Sequence, residues 1–165
     1  MKALIPLLFL TGMGFLFGQS SNDAASEPRF SELSHQNSER LNQQRAIIAA
    51  VAKQRYGRTL SRTKRDLPVL QQLIDDKVFK KSQTYELQSL GIVFGDVLVS
   101  ELPLRWVMIT DEYGTDPTLR FKNTSLNINP LTMISKRVER DEPVDLSRLL
   151  QQNREALSGA EKRFR

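Results

Sequence analysis

The sequence predicts an α+β domain: a small three-stranded antiparallel sheet packed against a central helix, with two helices before that unit and one or two after it. Three observations carry the prediction. Residues 84–102, TYELQSLGIVFGDVLVSEL, repeat apolar side chains at helical spacing. Pro103 stops that helix, and LRWVMIT follows as a strand with apolar residues on both faces, Trp106 and Met108 on one, Val107 and Ile109 on the other. TLRF and TSLNIN then alternate, with Leu119, Phe121, Leu126 and Ile128 turned the same way, so three strands in a meander are expected.

The 165 residues give room for one domain with a real core and some tail. There is no cysteine, which excludes disulfide staples, thiolate metal sites and cysteine nucleophiles. A net charge of +5 favours anionic surfaces without naming one.

The chain opens on Lys2, an apolar run from Ala3 to Phe17, and then small and polar residues, the layout of a secretory signal over residues 1–18. Export to the periplasm is therefore the expectation, with cleavage after Gly18, or after Ser20 as the neighbouring option. The alternative is an uncleaved inner-membrane anchor, although the run falls short of the roughly 18 to 20 apolar residues that span a bilayer and contains Pro6, Gly12 and Gly14. Once the leader is cleaved no stable membrane span remains. Residues 19–36 are polar and lack an apolar period, so a flexible tether is expected there. It contains His35, the chain's one histidine, read as a solvated side chain because a catalytic base needs a fixed partner.

A single α+β domain is expected over residues 37–150. Ser38 is the expected N-cap of a first helix whose Leu41, Ile48, Val51, Ala52 and Tyr56 share a side, with Gly57 as its C-terminal stop. Between Arg55 and Arg65 lie five basic residues and no acid, either a patch for phosphate, acidic glycan or lipid heads or a solvated loop. Nucleic acid is not an expected partner, because the chain reads as exported and only Tyr56 interleaves with these charges. Asp66 is expected to cap a short second helix striped by Leu67, Leu70, Leu73 and Ile74, and after the linker KVFKK Ser82 is expected to cap the central helix.

Gly91 and Gly95 share a face of that helix and together cost roughly 2 kcal/mol of helix propensity, so close approach of another element over both is expected. Asp96 follows in an apolar stretch. Buried carboxylates are rare unless paired, so a hydrogen-bonded or arginine-paired structural acid is expected. The acids Asp111, Glu112 and Asp116 sit in the turn DEYGTDP at spacings that fit no calcium loop, and no metal or cofactor is implied. Asn129-Pro130 starts a further helix with Leu131, Ile134 and Val138 inward and Lys136, Arg137 and Arg140 outward. DLSRLLQQNREAL makes a last helix, whose end within residues 151–165 is expected to fray.

The stretch LGIVFGDVLVSELPLRWVMITDEYGTDPTLRF followed by PLTMISKRVER, with DLPVLQQLIDD before it, resembles the bacterial family known as domain of unknown function 3806. The resemblance covers about residues 62–146. It rests on the Gly-Asp of the helix, the Arg-Trp-Val strand, the Asp-Glu-Tyr-Gly turn and the PLTMISKRVE helix. It implies a bacterial domain and brings no activity, cofactor or catalytic residue with it.

Each common reaction class lacks its motif: there is no paired histidine, G-x-S-x-G, phosphate-binding glycine loop or dinucleotide fingerprint, and the S-x-x-K at Ser61–Lys64 has no companion motif. The expected function is thus a non-enzymatic envelope module that binds a protein or an anionic envelope component through the sheet's exposed face and flanking basic residues. The candidate binding residues are Asp96, Arg105, Trp106, Asp111, Arg120 and Arg137; no catalytic residue is named. The alternative is a carboxylate-dependent hydrolase or transferase acting on an anionic envelope substrate, with Asp96 or Asp111 as its acid and Arg105, Arg120 or Arg137 binding the substrate. An enzyme of that kind needs Asp96, an arginine and a second acid converging in a concave pocket, whereas a binding module leaves Asp96 tied up in a structural pair and shows no enclosed cleft.

Overall fold

A computed structural model of the chain describes residues 28–163. The expected leader and its cleavage positions lie outside the described residues. Strand β1 (Arg29–Ser31) leads into helix α1 (His35–Tyr56); a 3-10 turn at Lys64–Asp66 runs into α2 (Leu67–Asp75), then the central α3 (Thr84–Glu101). Strands β2 (Leu104–Asp111), β3 (Gly114–Phe121) and β4 (Asn127–Ile128) follow, and α4 (Pro130–Glu139) and α5 (Leu146–Arg163) close the order.

The α+β class holds, but the sheet has four antiparallel strands in the order β1-β2-β3-β4, where three were expected. The added edge strand lies inside the segment read as a flexible tether, with Phe30 opposite Ile109. Three residues are too few for alternation to register in sequence. The expected seven-residue turn shrinks to Glu112 and Tyr113, because Asp111 pairs directly with Gly114. Asp111 Oδ1 accepts the Tyr113 N–H at 2.8 Å, which holds this short connection.

Leu104, Trp106, Leu119, Phe121 and Ile128 turn inward onto the core, with Trp106 opposite Leu119 and Leu104 opposite Phe121. The other face is covered in part. Val107, Ile109 and Thr118 on that side are all buried, and the Arg120 guanidinium reaches across β2 to sit 4.4 Å from the Phe30 ring centroid.

Helix α3 is the axis of the domain: every residue from Ser89 to Leu98 is buried, and α1 and α4 pack most extensively against it. The two glycines are where α4 and Trp106 of β2 approach it. A Cβ on Gly91 would stand 2.2 Å from the Pro130 carbonyl oxygen, and one on Gly95 would stand 2.5 Å from Trp106 Cζ2 and 2.9 Å from Pro130 Cγ. Close approach of neighbouring elements over bare backbone is therefore what the glycine pair provides.

The helix boundaries differ from expectation where polar side chains had better partners. Ser34, not Ser38, caps α1, its Oγ accepting the Asn37 N–H at 3.1 Å, so His35 stands in the first turn of a helix. At the other end Gly57 takes the left-handed conformation (φ 66°) and its N–H reaches Lys53 O, as expected. Asp66 makes no cap bond to α2. Its buried carboxylate accepts the Ser61 and Arg62 N–H groups and the Ser61 hydroxyl, folding the basic loop back on itself with Arg62 in the left-handed region (φ 57°). Ser82 does not cap α3, which starts at Thr84. Helix α5 runs to Arg163. Tyr56 donates to Asp76 Oδ2 at 2.7 Å, joining α1 to the end of α2; desolvation, then the hydrogen bond to and charge of Asp76, push its phenol up.

Gln44 is the polar exception on the inner face of α1, between Leu41 and Ile48, at 1 % exposure with neither amide atom hydrogen-bonded. An unpaired buried amide costs about 1–3 kcal/mol. Gln44→Met, close to volume-conserving, should raise the urea midpoint by the equivalent of about 1 kcal/mol. A lower midpoint would mean that a buried water pairs the amide.

Candidate functional site

Asp96 is placed on the buried face of α3 with both oxygens taken. Arg45 of α1 clasps it in two parallel bonds, Nε to Oδ2 at 2.7 Å and Nη2 to Oδ1 at 2.8 Å, and Trp106 Nε1 donates to Oδ1 at 2.9 Å. The three side chains tie α1, α3 and β2 together. The carboxylate is 7 % exposed, so these charge-assisted bonds replace its water. The expectation of an arginine-paired structural acid is met, with an arginine that sequence reasoning did not single out.

The other candidate residues do not converge on Asp96. Arg105 and Arg120 stand opposite each other across β2 and β3, yet Arg105 pairs with Glu32 while Arg120 donates to Thr124 O at 2.7 Å and Asn123 O at 3.2 Å. Asp111 holds the hairpin turn. Arg137 on α4 donates to Met133 O at 2.6 Å and lines a pocket of about 220 Å³ with Asp145 and Arg148. Among the described residues no group of three or more ligating side chains is placed to hold a metal ion, and no helix is long and apolar enough to cross a membrane.

A larger concavity lies where the α2–α3 and α4–α5 loops face each other. Both loops begin with a non-glycine residue in the left-handed conformation, Lys77 (φ 49°) and Asp141 (φ 59°), whose N–H groups close the preceding helices onto Ile74 O and Val138 O. Lys81 pairs with Asp141 across the gap, and Thr84 Oγ1 donates to Glu139 Oε1 at 3.1 Å. The Gln71 amide fixes the far wall by donating to Val144 O at 2.8 Å and accepting the Leu146 N–H at 3.0 Å.

The result is a groove of about 720 Å³ with Ile74, Phe79, Val138, Pro143 and Val144 as apolar lining. A separate void of about 30 Å³, lined by Leu73, Leu87 and Leu90, shares Ile74, Lys77, Phe79 and Val138 with the groove. Charged side chains share the groove's lining. Asp75 accepts from Gln71, Asp141 pairs with Lys81, and Glu142 faces Arg140 at 3.9 Å. Lys77 and Lys80 line the same groove and their ammonium groups have no partner among the described residues. This arrangement offers an apolar bed and two unanswered cations. In sequence the same residues read as the linkers KVFKK and DEPV; the one available signal was an aromatic residue set among lysines in a linker.

Comparison with known proteins gives a fold and a family. A crystal structure of a protein from Bacteroides thetaiotaomicron VPI-5482, at 1.50 Å resolution, superposes with a TM-score of 0.71 at 18 % identity, over 78 % of this chain and 48 % of that one. At that identity the likeness is one of fold, and the chain spans about half the length of that protein. No curated protein matches the sequence. The family model described as Domain of unknown function (DUF3806) matches residues 66–149, just over half the chain, from the buried Asp66 to Leu149 on α5. The stretches that carry the likeness meet in space, since Gly95 and Asp96 touch Trp106, and Pro130 covers both glycines. The chain belongs to the DUF3806 family.

Proposed function

We propose that the protein is an exported, non-enzymatic binding module of the bacterial envelope, and that the groove between the α2–α3 and α4–α5 loops is where it holds an envelope protein or an anionic envelope component. The observation that carries this reading is the state of Asp96. The carboxylate-dependent alternative needs Asp96 or Asp111 free in a cleft; both oxygens of Asp96 are engaged by Arg45 and Trp106, and Asp111 accepts the Tyr113 N–H in the hairpin turn. The groove between the two loops instead combines apolar Ile74, Phe79, Val138, Pro143 and Val144 with charged side chains. The basic leader with its apolar run supports export, and periplasmic release after cleavage is part of the proposal.

The test is capture from a fractionated envelope, with the bound protein or lipid identified by mass spectrometry. Tagged wild-type protein should appear in the periplasmic fraction and retain a defined component. A variant carrying Lys77→Glu, Lys80→Glu and Arg137→Glu should lose that component while melting like the wild type. Turnover of the captured component by wild-type protein would overturn the non-enzymatic reading, and a detergent-extractable protein of full length would overturn release from the membrane.

A further inference from the structure

We infer that the basic loop after α1 and the first turn of α2 form a binding site for a phosphate monoester, held between Arg58 and Arg65. The site is separate from the groove proposed above, at the other end of α2: Asp66, Pro68 and Val69 line it, where Ile74 and Asp75 line the groove. It is a concavity of about 410 Å³ with the two arginines in its wall. Neither guanidinium has a partner among the described residues.

The sign of the site follows from its single acid. Asp66 is 3 % exposed, and its carboxylate accepts the Ser61 N–H, the Ser61 hydroxyl and, at 2.6 Å, the Arg62 N–H. Its charge is answered inside the loop, so an anion at the arginines has no carboxylate to displace. The same bonds fix the backbone that carries the arginines. Leu60 packs on the core, Gly57 and Arg62 take left-handed conformations, and the Ser61 and Thr63 hydroxyls bond at 2.8 Å. Binding here costs side-chain ordering and little loop ordering.

The ligand's chemistry follows from the donors. A carboxylate has two oxygens and is satisfied by one guanidinium in bidentate contact, whereas a phosphate monoester brings three oxygens and about two charges and answers both arginines. The first turn of α2 adds its dipole in the same sense. Thr59 and Gln72, the uncharged polar side chains of the lining that have no partner among the described residues, suit hydroxyl groups on the carrier. Bare phosphate leaves most of the volume empty; a sugar or polyol phosphate fills it.

Isothermal titration of the purified protein with glucose 1-phosphate, inorganic phosphate, glucuronate and glucose tests the inference. Glucose 1-phosphate should bind saturably and one to one, inorganic phosphate more weakly, glucuronate about tenfold more weakly, and glucose not at all. Arg58→Gln and Arg65→Gln should each weaken glucose 1-phosphate by about tenfold. Arg55→Gln and Lys64→Gln, equal losses of charge outside the pocket lining, should change it by less than about twofold. All four side chains are exposed and make no hydrogen bond or ion pair among the described residues, so the variants should melt like the wild type. The inference is overturned if glucose 1-phosphate shows no saturable binding, or if inorganic phosphate or glucuronate binds as well. It is also overturned if the four variants weaken binding alike, as a diffuse basic surface would. Phosphatidylglycerol vesicles should not displace glucose 1-phosphate; displacement would assign the site to a lipid headgroup and overturn the monoester. Lys77→Glu and Lys80→Glu in the groove should leave this binding unchanged, so the two sites stand or fall separately.

Discussion

Replacing Gly91 with alanine should lower the melting temperature by about 4–8 °C, although alanine is the better helix former by about 1 kcal/mol. The sign is decided by what the new methyl would meet. At 2.2 Å from the Pro130 carbonyl oxygen and 3.1 Å from Leu131 Cα, it would press on the backbone of α4 at the point where that helix begins. Backbone cannot swing aside as a side chain can, so α4 must shift away from α3, at a cost of about 3 kcal/mol for overpacking of this kind. Gly95→Leu should act in the same direction through Trp106, whose indole is held by its bond to Asp96 and cannot yield freely. Gly159, inside α5 with nothing within 4 Å of a Cβ, supplies the control. Gly159→Ala should stabilise by up to about 1 kcal/mol, the propensity gain with no opposing contact. A thermal scan of the three variants separates packing from propensity, and an unchanged or higher midpoint for Gly91→Ala would sink the close-contact account.

What could be read from sequence and what could not divides along sequence distance. The glycine pair was legible because it breaks a local rule, a helix former's absence in a buried helix, and such a break needs an outside reason. Asp96 was legible for the same cause, a carboxylate in an apolar run. Its partner was not: Arg45 lies 51 residues away, on a helix where an arginine is ordinary, and only the packing of α1 on α3 selects it. The caps failed for a different reason. Ser34 and Ser38 are both good N-cap residues, and Asp66 had two possible uses; local pattern cannot rank a cap against three hydrogen bonds from the preceding loop. Strand β1 was missed because three residues with one apolar side chain carry no period. The groove was out of reach altogether, since its two loops are some sixty residues apart, as the Lys81–Asp141 pair shows. Arg137 was named for its charge and does border the smaller pocket beside it, across Pro143.

Arg45→Met should destabilise the domain by about 3–5 kcal/mol, the largest single loss expected in this chain, because it strands a carboxylate that is 7 % exposed. The converse change should cost less. In Asp96→Leu the remaining guanidinium, at 16 % exposure and already bonded through Nη1 to Asn42 Oδ1, has a partner and a route to water. The double variant Arg45→Met with Asp96→Leu should therefore recover most of the loss, since an apolar pair of similar volume replaces a desolvated ion pair at little net cost. It will not recover all of it. The Trp106 Nε1–H loses its acceptor in both Asp96 variants, a penalty of about 1–3 kcal/mol that is common to them and cancels from the coupling energy. Urea melts of the two single variants and the double one give the coupling energy directly, and a value well above 1 kcal/mol is expected for groups in bidentate contact. A loss below about 1 kcal/mol for Arg45→Met would mean that Asp96 does not depend on its partner. The carboxylate would then be available for the acid-base chemistry that the clasp otherwise forbids.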